Sequence, residues 1–229
     1  MGEDWQINMQ GFIPGDFSPG ILNFEEVFMS NQTKFIAKIG ILAALATGLM
    51  FLEFVLPFTP AFLKLDFSEL IVLLGGFALG PAAGILIELI KNLVHVTMSI
   101  TGGVGELANF IVGCAFVVPA AVIYNRKKSI KNAVIGLIAG SLTMVVVAAL
   151  VNYFVLIPLY VKIFAEQFSI THDQSLQGII AEGTRNNSAI VDLKTLILFG
   201  IIPFNLFKVT LLSLLTFATY KKVSPILHK

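Results

Sequence analysis

Long apolar runs, separated by short polar or Gly/Pro-rich breaks, dominate the chain. A run of about twenty apolar residues is long enough for a helix to cross a hydrocarbon core of about 30 Å. The predicted spans cover residues 35–56, 67–79, 82–100, 104–124, 132–157 and 193–220. Gly and Pro mark most of the joints between them. The second span is short and needs the preceding loop to help it cross. The pattern predicts an all-α integral membrane protein of six spanning helices.

Composition supports a membrane protein. Hydrophobic residues make up 56% of the chain and charged residues 13%, whereas soluble domains average about 25% charged residues. The one cysteine, Cys114, lies in an apolar run, so an internal disulfide is excluded. The chain is therefore read as one membrane domain, with no room for a second domain of ordinary size.

The first 28 residues differ from the rest. They are rich in Gly and Pro, carry only acidic charges and lack the basic start and apolar centre of a secretory signal. We expect residues 1–28 to lie outside the fold, as an added leader, a misassigned start or a short surface segment. Residues 29–229 are expected to form the six-helix membrane domain.

Basic residues in the predicted short loops indicate the orientation, because Lys and Arg concentrate on the cytoplasmic side. With six spans, one side holds Lys34, Lys38, Arg126, Lys127, Lys128, Lys131, Lys221, Lys222 and Lys229. The other side holds Lys64, Lys162, Arg185 and Lys194. Both termini are therefore predicted to be cytoplasmic.

Ionisable side chains within the spans are the main functional candidates, because a charge at membrane depth is costly. Span three carries Glu88, Lys91 and Asn92, whose spacing puts them on one helix face. Span six carries Asn205 and Lys208, which also share a face. These residues are expected to turn towards the inside of the bundle.

Helix geometry places the acid and the base at similar depths. At a rise of about 1.5 Å per residue, Glu88 lies roughly 18 Å from residue 100 and Lys208 roughly 21 Å from Lys194. We therefore expect a Glu88–Lys208 pair, with Lys91 and three asparagine amides around it, including Asn152 of span five. Such a site suits a neutral or zwitterionic heterocycle or polyol better than a bare ion. A purely structural buried ion pair is the alternative.

Other polar residues have simpler interpretations. Asp66 and Glu69 fit the start of the second helix as capping residues. Glu53 and Glu106 lie near the outer ends of their helices, within reach of water. His95 is interpreted as a hydrogen-bonded helix residue.

Small residues form two neighbouring stripes on span one. Gly40, Ala44 and Gly48 recur at four-residue spacing, and Ala43 with Thr47 lies beside them. Such stripes let helices approach closely. They indicate either packing within the bundle or a docking face for another membrane subunit.

Phosphate-binding, zinc-protease and serine-hydrolase motifs are absent from the sequence. An enzyme is therefore disfavoured. A protein of this kind that concentrates a solute must draw energy from an ion gradient or from another subunit.

Five sequence runs resemble the riboflavin-specific S-components of energy-coupling factor (ECF) vitamin transporters. The runs are FLKLDFSE at 62–69, GFALGPAAG at 76–84, ELIKN at 88–92, NYFVLIP at 152–158 and PFNLFK at 203–208. The resemblance covers about residues 34–222. The leader and the polar segment 165–192 lie outside it, and that segment is either a lid or a variable surface loop.

The resemblance implies six helices in a prokaryotic plasma membrane, and capture from outside of riboflavin, or of FMN or an analogue. It implies no cofactor, no nucleic acid partner, and assembly in the lipid bilayer with a T-component and two cytoplasmic ATPases. Its ligand positions fall on Glu88, Lys91, Asn92, Asn152, Asn205 and Lys208. The loop between spans one and two would be a lid, which adds Thr59, Ala61, Leu63 and Lys64. The contact with the T-component would fall on Gly40, Ala43, Ala44 and Thr47.

Three alternatives stay open. The ligand could be another vitamin such as thiamin, or a queuosine precursor. The chain could be an ion-coupled secondary transporter with Glu88 as its proton site, although the internal repeats common in such folds are not evident. It could also be a membrane-embedded enzyme.

Overall fold

The computed structural model describes residues 31–57, 59–99 and 101–227. The leader predicted at 1–28 lies outside the described residues. From Ala37 onward the described residues belong to one compact unit.

Helices make up most of the described chain. The α-helices are α1 Asn31–Met50, α2 Ser68–Leu79, α3 Pro81–His95, α4 Val104–Arg126, α5 Ile130–Val151, α6 Ile157–Phe168, α7 His172–Asn186, α8 Leu193–Leu196 and α9 Ile202–Leu227. A 3₁₀ turn, Val96–Met98, extends α3. Two π-helical segments, Asn152–Leu156 and Ile197–Ile201, join α5 to α6 and α8 to α9.

Among the described residues, five stretches are long and apolar enough to cross a membrane. They are Gln32–Met50, Pro81–Met98, Val104–Arg126, Ile130–Phe168 and Leu193–Thr219. The apolar helix Ser68–Leu79 is shorter, as the sequence predicted. The helical membrane fold is thus confirmed, whereas the count of six spans and the cytoplasmic termini stay predictions.

Local signals place several helix starts. Gly80 has a φ of 99°, a value at which a residue with a side chain would be strained. Pro81 follows it at the first position of α3. Gly103, with a φ of 87°, precedes α4. The hydroxyl of Ser129 accepts a hydrogen bond from the backbone N–H of Asn132 and caps α5.

The predicted end of span five at residue 157 is wrong, because the helix continues to Phe168. The backbone N–H of Ile157 donates to Asn152 O, and that of Ile202 donates to Ile197 O, as in a π-helix. Pro158 lies just after the first of these wide turns, in the first turn of α6. A proline needs no backbone donor there, so it does not end the helix.

The connection between α1 and α2, residues 51–67, folds back over the bundle. Two short antiparallel strands, β1 Phe54–Val55 and β2 Lys64–Leu65, form a hairpin within it. Leu63 and Leu65 are buried. The second half of the connection therefore packs against the bundle, whereas Phe54 and Val55 of β1 are exposed.

Glycines allow the central helices to pack closely. A Cβ at Gly84 of α3 would lie 3.4 Å from the Cα of Gly76 of α2, so these two helices are in close contact there. A Cβ at Gly136 would lie 2.6 Å from the Ala120 carbonyl oxygen, and one at Gly140 would lie 2.3 Å from that of Phe116. Backbones of α4 and α5 therefore meet with no side chain between them.

The segment predicted as a polar loop, residues 165–192, is largely helical. It contains the end of α6 and all of α7. Thr171 caps α7, because its side chain accepts from the backbone N–H of Gln174 and the Gln174 side chain bonds back to Thr171. Ile179 and Ile190 are buried against Tyr160 in a second apolar cluster beside the main core.

Candidate ligand-binding site

A cavity of about 300 Å³ lies in the bundle beneath the α1–α2 connection. This volume is at the lower end of the range for small-molecule sites, about 300–1,000 Å³. The sequence-predicted ligand residues that line the cavity are Ala61, Leu63, Lys64, Asn152, Asn205 and Lys208. Side chains from the connection, α9 and the first π-helical segment therefore converge on one space.

Asn152 and Asn205 present their amides to this cavity in the same way. Each Nδ2 donates to the carbonyl oxygen four residues earlier, that of Ala148 or Ile201, at 2.8 Å. Neither Oδ1 accepts a hydrogen bond from any residue in the described ranges. Two acceptors are thus available to N–H or O–H groups of a ligand.

Lys208 pairs with Asp66, not with Glu88 as the depths predicted. Its Nζ lies 2.9 Å from Asp66 Oδ2, and both side chains are almost completely buried. The prediction was wrong because it considered only the spans. The α1–α2 connection brings Asp66 down to the level of Lys208.

Lys91 is completely buried between two carboxylates. Its Nζ lies 2.7 Å from Glu69 Oε1 and 3.0 Å from Glu88 Oε1, and it donates to Ser68 Oγ at 2.7 Å. Gly113 of α4 makes room, because a Cβ there would lie 2.5 Å from Glu88 Oε1. We call Asp66, Glu69, Glu88, Lys91 and Lys208 the charged layer.

The charged layer is continuous from α3 to α9. Ser68 donates to Asp66 through its backbone N–H, at 2.8 Å, and through its hydroxyl. Lys91 bonds Ser68, and Asp66 bonds Lys208, so the α2 start links the two bases. Asp66 lies outside the spanning helices. Burial by itself would raise the pKa of its carboxyl, but the positive charges of Lys208 and Lys91 have the larger effect and hold that pKa well below its usual value.

Three predicted ligand residues on α3 and one in the connection do not line the cavity. Glu88 and Lys91 lie behind it in the charged layer, and Asn92 donates to Glu88 Oε1 at 2.9 Å. Thr59 is buried and donates to the Leu56 carbonyl at 3.1 Å.

Asp66 and Glu69 were interpreted as capping residues at the start of α2, and for Glu69 this interpretation is wrong. Phe67 is the N-cap of α2 and makes no side-chain cap, but Asp66 accepts from the backbone N–H of Ser68, the first residue of the helix. Glu69 instead lines the cavity and binds Lys91. The sequence carried a signal for Glu69, since it shares a helix face with the apolar residues Val72 and Leu73, three and four positions later, which are buried.

A second polar group lies at the cavity where α3 ends and α4 begins. His95 Nδ1 contacts Glu106 Oε1 at 2.9 Å, and Ser99 Oγ donates to Glu106 Oε2 at 2.7 Å. His95 is hydrogen-bonded, as predicted. Glu106 was expected to reach water, but its partners and its burial hold it inside. Glu53, beside His95, forms an ion pair with Lys64 of β2.

Apolar side chains supply the remaining walls. Those lining the cavity include Met50, Phe62, Val112, Met144, Tyr160 and Phe204. Within the described ranges, no cluster of His, Cys, Asp or Glu could hold a metal ion. The arrangement favours a ligand with one polar edge and one flat apolar part.

The small-residue stripes of α1 point in two directions. Gly40 and Ala44 are exposed, and a Cβ at Gly40 or Gly48 would meet nothing within 4 Å. Ala43 and Thr47 are buried, and Thr47 Oγ1 donates to the Ala43 carbonyl at 2.7 Å.

A family model described as ECF transporter, substrate-specific component, matches residues 34–220. The chain belongs to this family. The S-component is therefore a subunit of a membrane transporter, and the family in general combines such subunits with an energising module of a T-component and ATPases.

Individual similar proteins support the same family assignment. The riboflavin transporter RibU of Staphylococcus aureus is 37% identical over 198 residues, which span 86% of this S-component and 94% of the relative. The riboflavin transporter FmnP of Bacillus subtilis is 30% identical over 197 residues, spanning 85% and 94%. A solved S component of a bacterial ECF transporter has a TM-score of 0.67 and 35% identity, and the match covers 86% of this chain and 99% of that one.

Proposed function

We propose that this S-component captures riboflavin in the cavity from outside the cell and delivers it with an ATPase-driven partner module. The convergence on one cavity of Asn152, from the first π-helical segment, with Asn205 and Lys208 of α9 carries this proposal. Relatives named as riboflavin transporters, similar to this chain over most of its length, supply the ligand's identity.

The flavin ring system fits the chemistry of the walls. Its pyrimidine edge alternates hydrogen-bond donors and acceptors, which the free Oδ1 atoms of Asn152 and Asn205 and the ammonium of Lys208 complement. Its dimethylbenzene end needs apolar walls, and Phe204 and Met144 line the cavity. The ribityl hydroxyls can bond Glu69 and the backbone of the α1–α2 connection.

We assign Glu88, Lys91 and Asn92 a supporting role rather than direct contact. They lie behind the cavity, and Lys91 ties Glu69 and Ser68 together. Through Asp66 the same network orients Lys208. Buried networks of this kind fix side-chain positions more than they add stability.

The α1–α2 connection is proposed as the lid. Its residues Ala61, Leu63 and Lys64 line the cavity, and Thr59 stabilises its turn. A ligand could enter when this short connection, which carries only two-residue strands, moves aside.

The partner module is proposed to dock on the exposed stripe of α1, formed by Gly40 and Ala44. Both chain termini are proposed to lie on the cytoplasmic side. Gly40 and Ala44 offer a smooth surface to another membrane helix. Ala43 and Thr47, which are buried, would support this face from within rather than touch the partner.

A titration of the purified protein with riboflavin, followed by quenching of flavin fluorescence, tests the ligand. We expect saturable quenching, whereas thiamin should neither bind nor compete. Binding of thiamin alone would reject riboflavin as the ligand. Uptake that collapses with an uncoupler while ATP is maintained would instead favour an ion-coupled transporter.

Replacing Asn205 tests the site. We expect Asn205→Ala to weaken riboflavin binding at least tenfold, or about 1.4 kcal/mol, because the variant lacks the free acceptor. Thr210→Ala is the matched control, since Thr210 also donates to a carbonyl four residues earlier on α9 but is exposed away from the cavity. Equal affinities of both variants would place the ligand elsewhere.

A further inference from the structure

Helix α7 reaches the connection that we assign to the lid. Asn186, the last residue of α7, donates through Nδ2 to the carbonyl oxygen of Thr59 at 3.0 Å, although the two are 127 residues apart in the chain. Within the described ranges this is the only hydrogen bond that joins α7 to the connection.

Thr59 is at the turn that sets the path of the cavity-lining residues. Its hydroxyl donates to the Leu56 carbonyl at 3.1 Å, and the Leu63 backbone N–H donates to the Pro60 carbonyl at 2.9 Å. Ala61 and Leu63, which follow directly, line the cavity. A contact that holds the Thr59 carbonyl therefore also holds the residues above the ligand.

Apolar packing joins the same two elements. Phe62 of the connection packs against the cluster that contains Ile179 of α7, and its ring centroid lies 6.4 Å from that of Tyr160. Both Phe62 and Tyr160 line the cavity. The connection is thus bound to α7 through one hydrogen bond and one shared apolar cluster.

Helix α7 is itself firmly placed. Its start is capped by Thr171 and Gln174, and near its end Thr184 Oγ1 donates to the Ile190 carbonyl at 2.7 Å. A Cβ at Gly183 would lie 3.0 Å from both Ile190 and Leu196, so the helix packs closely on the return segment. It can serve as a fixed support for the proposed lid.

We infer that α7 is a clasp for the lid and that Asn186 is its positioning residue, which slows dissociation of bound riboflavin without touching it. This inference rests on the proposed function. It gives a role to the polar segment outside the six predicted spans.

Stopped-flow measurement of riboflavin dissociation from the full-length purified protein tests the clasp. Asn186→Asp replaces the donor with an acceptor that faces the Thr59 carbonyl. Asn187→Asp is the matched control, because Asn187 Oδ1 accepts from the Ala189 backbone N–H and aspartate keeps that acceptor. Asn186→Ala, which adds no charge, is the second variant.

We expect both Asn186 variants to dissociate about three- to tenfold faster, the size of effect that one neutral hydrogen bond produces. Association should change by less than about twofold, because interface changes act mainly on dissociation. Asn187→Asp should match the unmodified protein. Amide hydrogen exchange at residues 59–64 should be faster in the Asn186 variants alone.

The outcomes separate the two proposals. If the unmodified protein binds riboflavin and both Asn186 variants keep its dissociation rate, the clasp is overturned and the proposed function stands. Equal acceleration in Asn187→Asp would also overturn it, since added charge would then be the cause. If the unmodified protein does not bind riboflavin, both proposals fall.

Discussion

At the scale of single residues, each buried base contacts at least one buried carboxylate. Lys208 is paired with Asp66, and Lys91 lies between Glu69 and Glu88. Removing one member of such a pair leaves an uncompensated buried charge, which is more costly than never having the pair. The layer should therefore tolerate neutral exchanges and resist the loss of a base.

Lys91→Met should be far more harmful than Glu88→Gln. The first variant leaves Glu69 and Glu88 without their shared cation, at a cost of about 3–5 kcal/mol. The second keeps Lys91 paired with Glu69 and retains an oxygen that can accept from it. Thermal unfolding in detergent should show a much lower Tm for Lys91→Met, and equal midpoints would contradict the proposed importance of this cation.

A double substitution should separate stability from binding. Lys208→Met alone leaves the buried Asp66 without its partner and should lower the free energy of unfolding by about 3–5 kcal/mol. Asp66→Asn combined with Lys208→Met should recover most of that loss. Riboflavin affinity should stay at least tenfold weaker in both variants, because Lys208 lines the cavity. Recovery of full affinity in the double variant would remove Lys208 from the ligand contacts.

Sequence reasoning located Glu88, Lys91 and Lys208 as buried groups but not all of their partners. Spacing fixes which residues share a face of one helix, and this argument worked within α3 and α9. It does not fix the path of an irregular connection. Asp66 therefore could not be matched to Lys208, from which 142 residues separate it.

At the scale of elements, apolar runs predicted the helices well, but Pro158 did not mark the end of a helix as predicted. Pro158 and Pro203 both follow π-helical segments, and the helices continue through them. A π-helical turn of this kind leaves no clear mark in the pattern of apolar residues, so the sequence did not predict it. The close packing of the α2–α3 and α4–α5 helix pairs, by contrast, is built on glycines that are visible in the sequence.

Gly140→Ala should test the packing of α4 on α5. The added methyl would meet the Phe116 carbonyl oxygen at 2.3 Å, so the helices must separate, and such overpacking costs about 1–3 kcal/mol. Gly48→Ala is the control, because open space surrounds that position and alanine favours helix by about 1 kcal/mol. Similar unfolding midpoints for the two variants would mean that α4 and α5 do not meet as closely as described.

At the scale of the whole molecule, the cavity and the exposed α1 stripe are separate surfaces. The cavity is lined on one side by the α1–α2 connection, whereas Gly40 and Ala44 face outwards from the bundle. Capture of ligand and docking of a partner should therefore be separable by mutation.

Ala44→Leu should leave riboflavin binding by the purified protein unchanged but reduce uptake by cells that contain the partner module. The larger side chain blocks close helix approach in the membrane and lies away from the cavity. Ala218→Leu, at an exposed position on α9, should preserve both binding and uptake. Normal uptake by Ala44→Leu would exclude this stripe as the docking face.

The two wide turns next to Asn152 and Asn205 bear on how relatives of this chain should be aligned. Each contains one residue more than a regular helical turn, which rotates everything beyond it by about 100°. A relative that lacks one residue there would show a single-position gap inside a spanning helix, where gaps are usually treated as errors. In this fold such a gap would instead be real. It would mean that the parts of the helix before and after the turn are rotated differently about the helix axis, so that the asparagine faces the ligand at another angle.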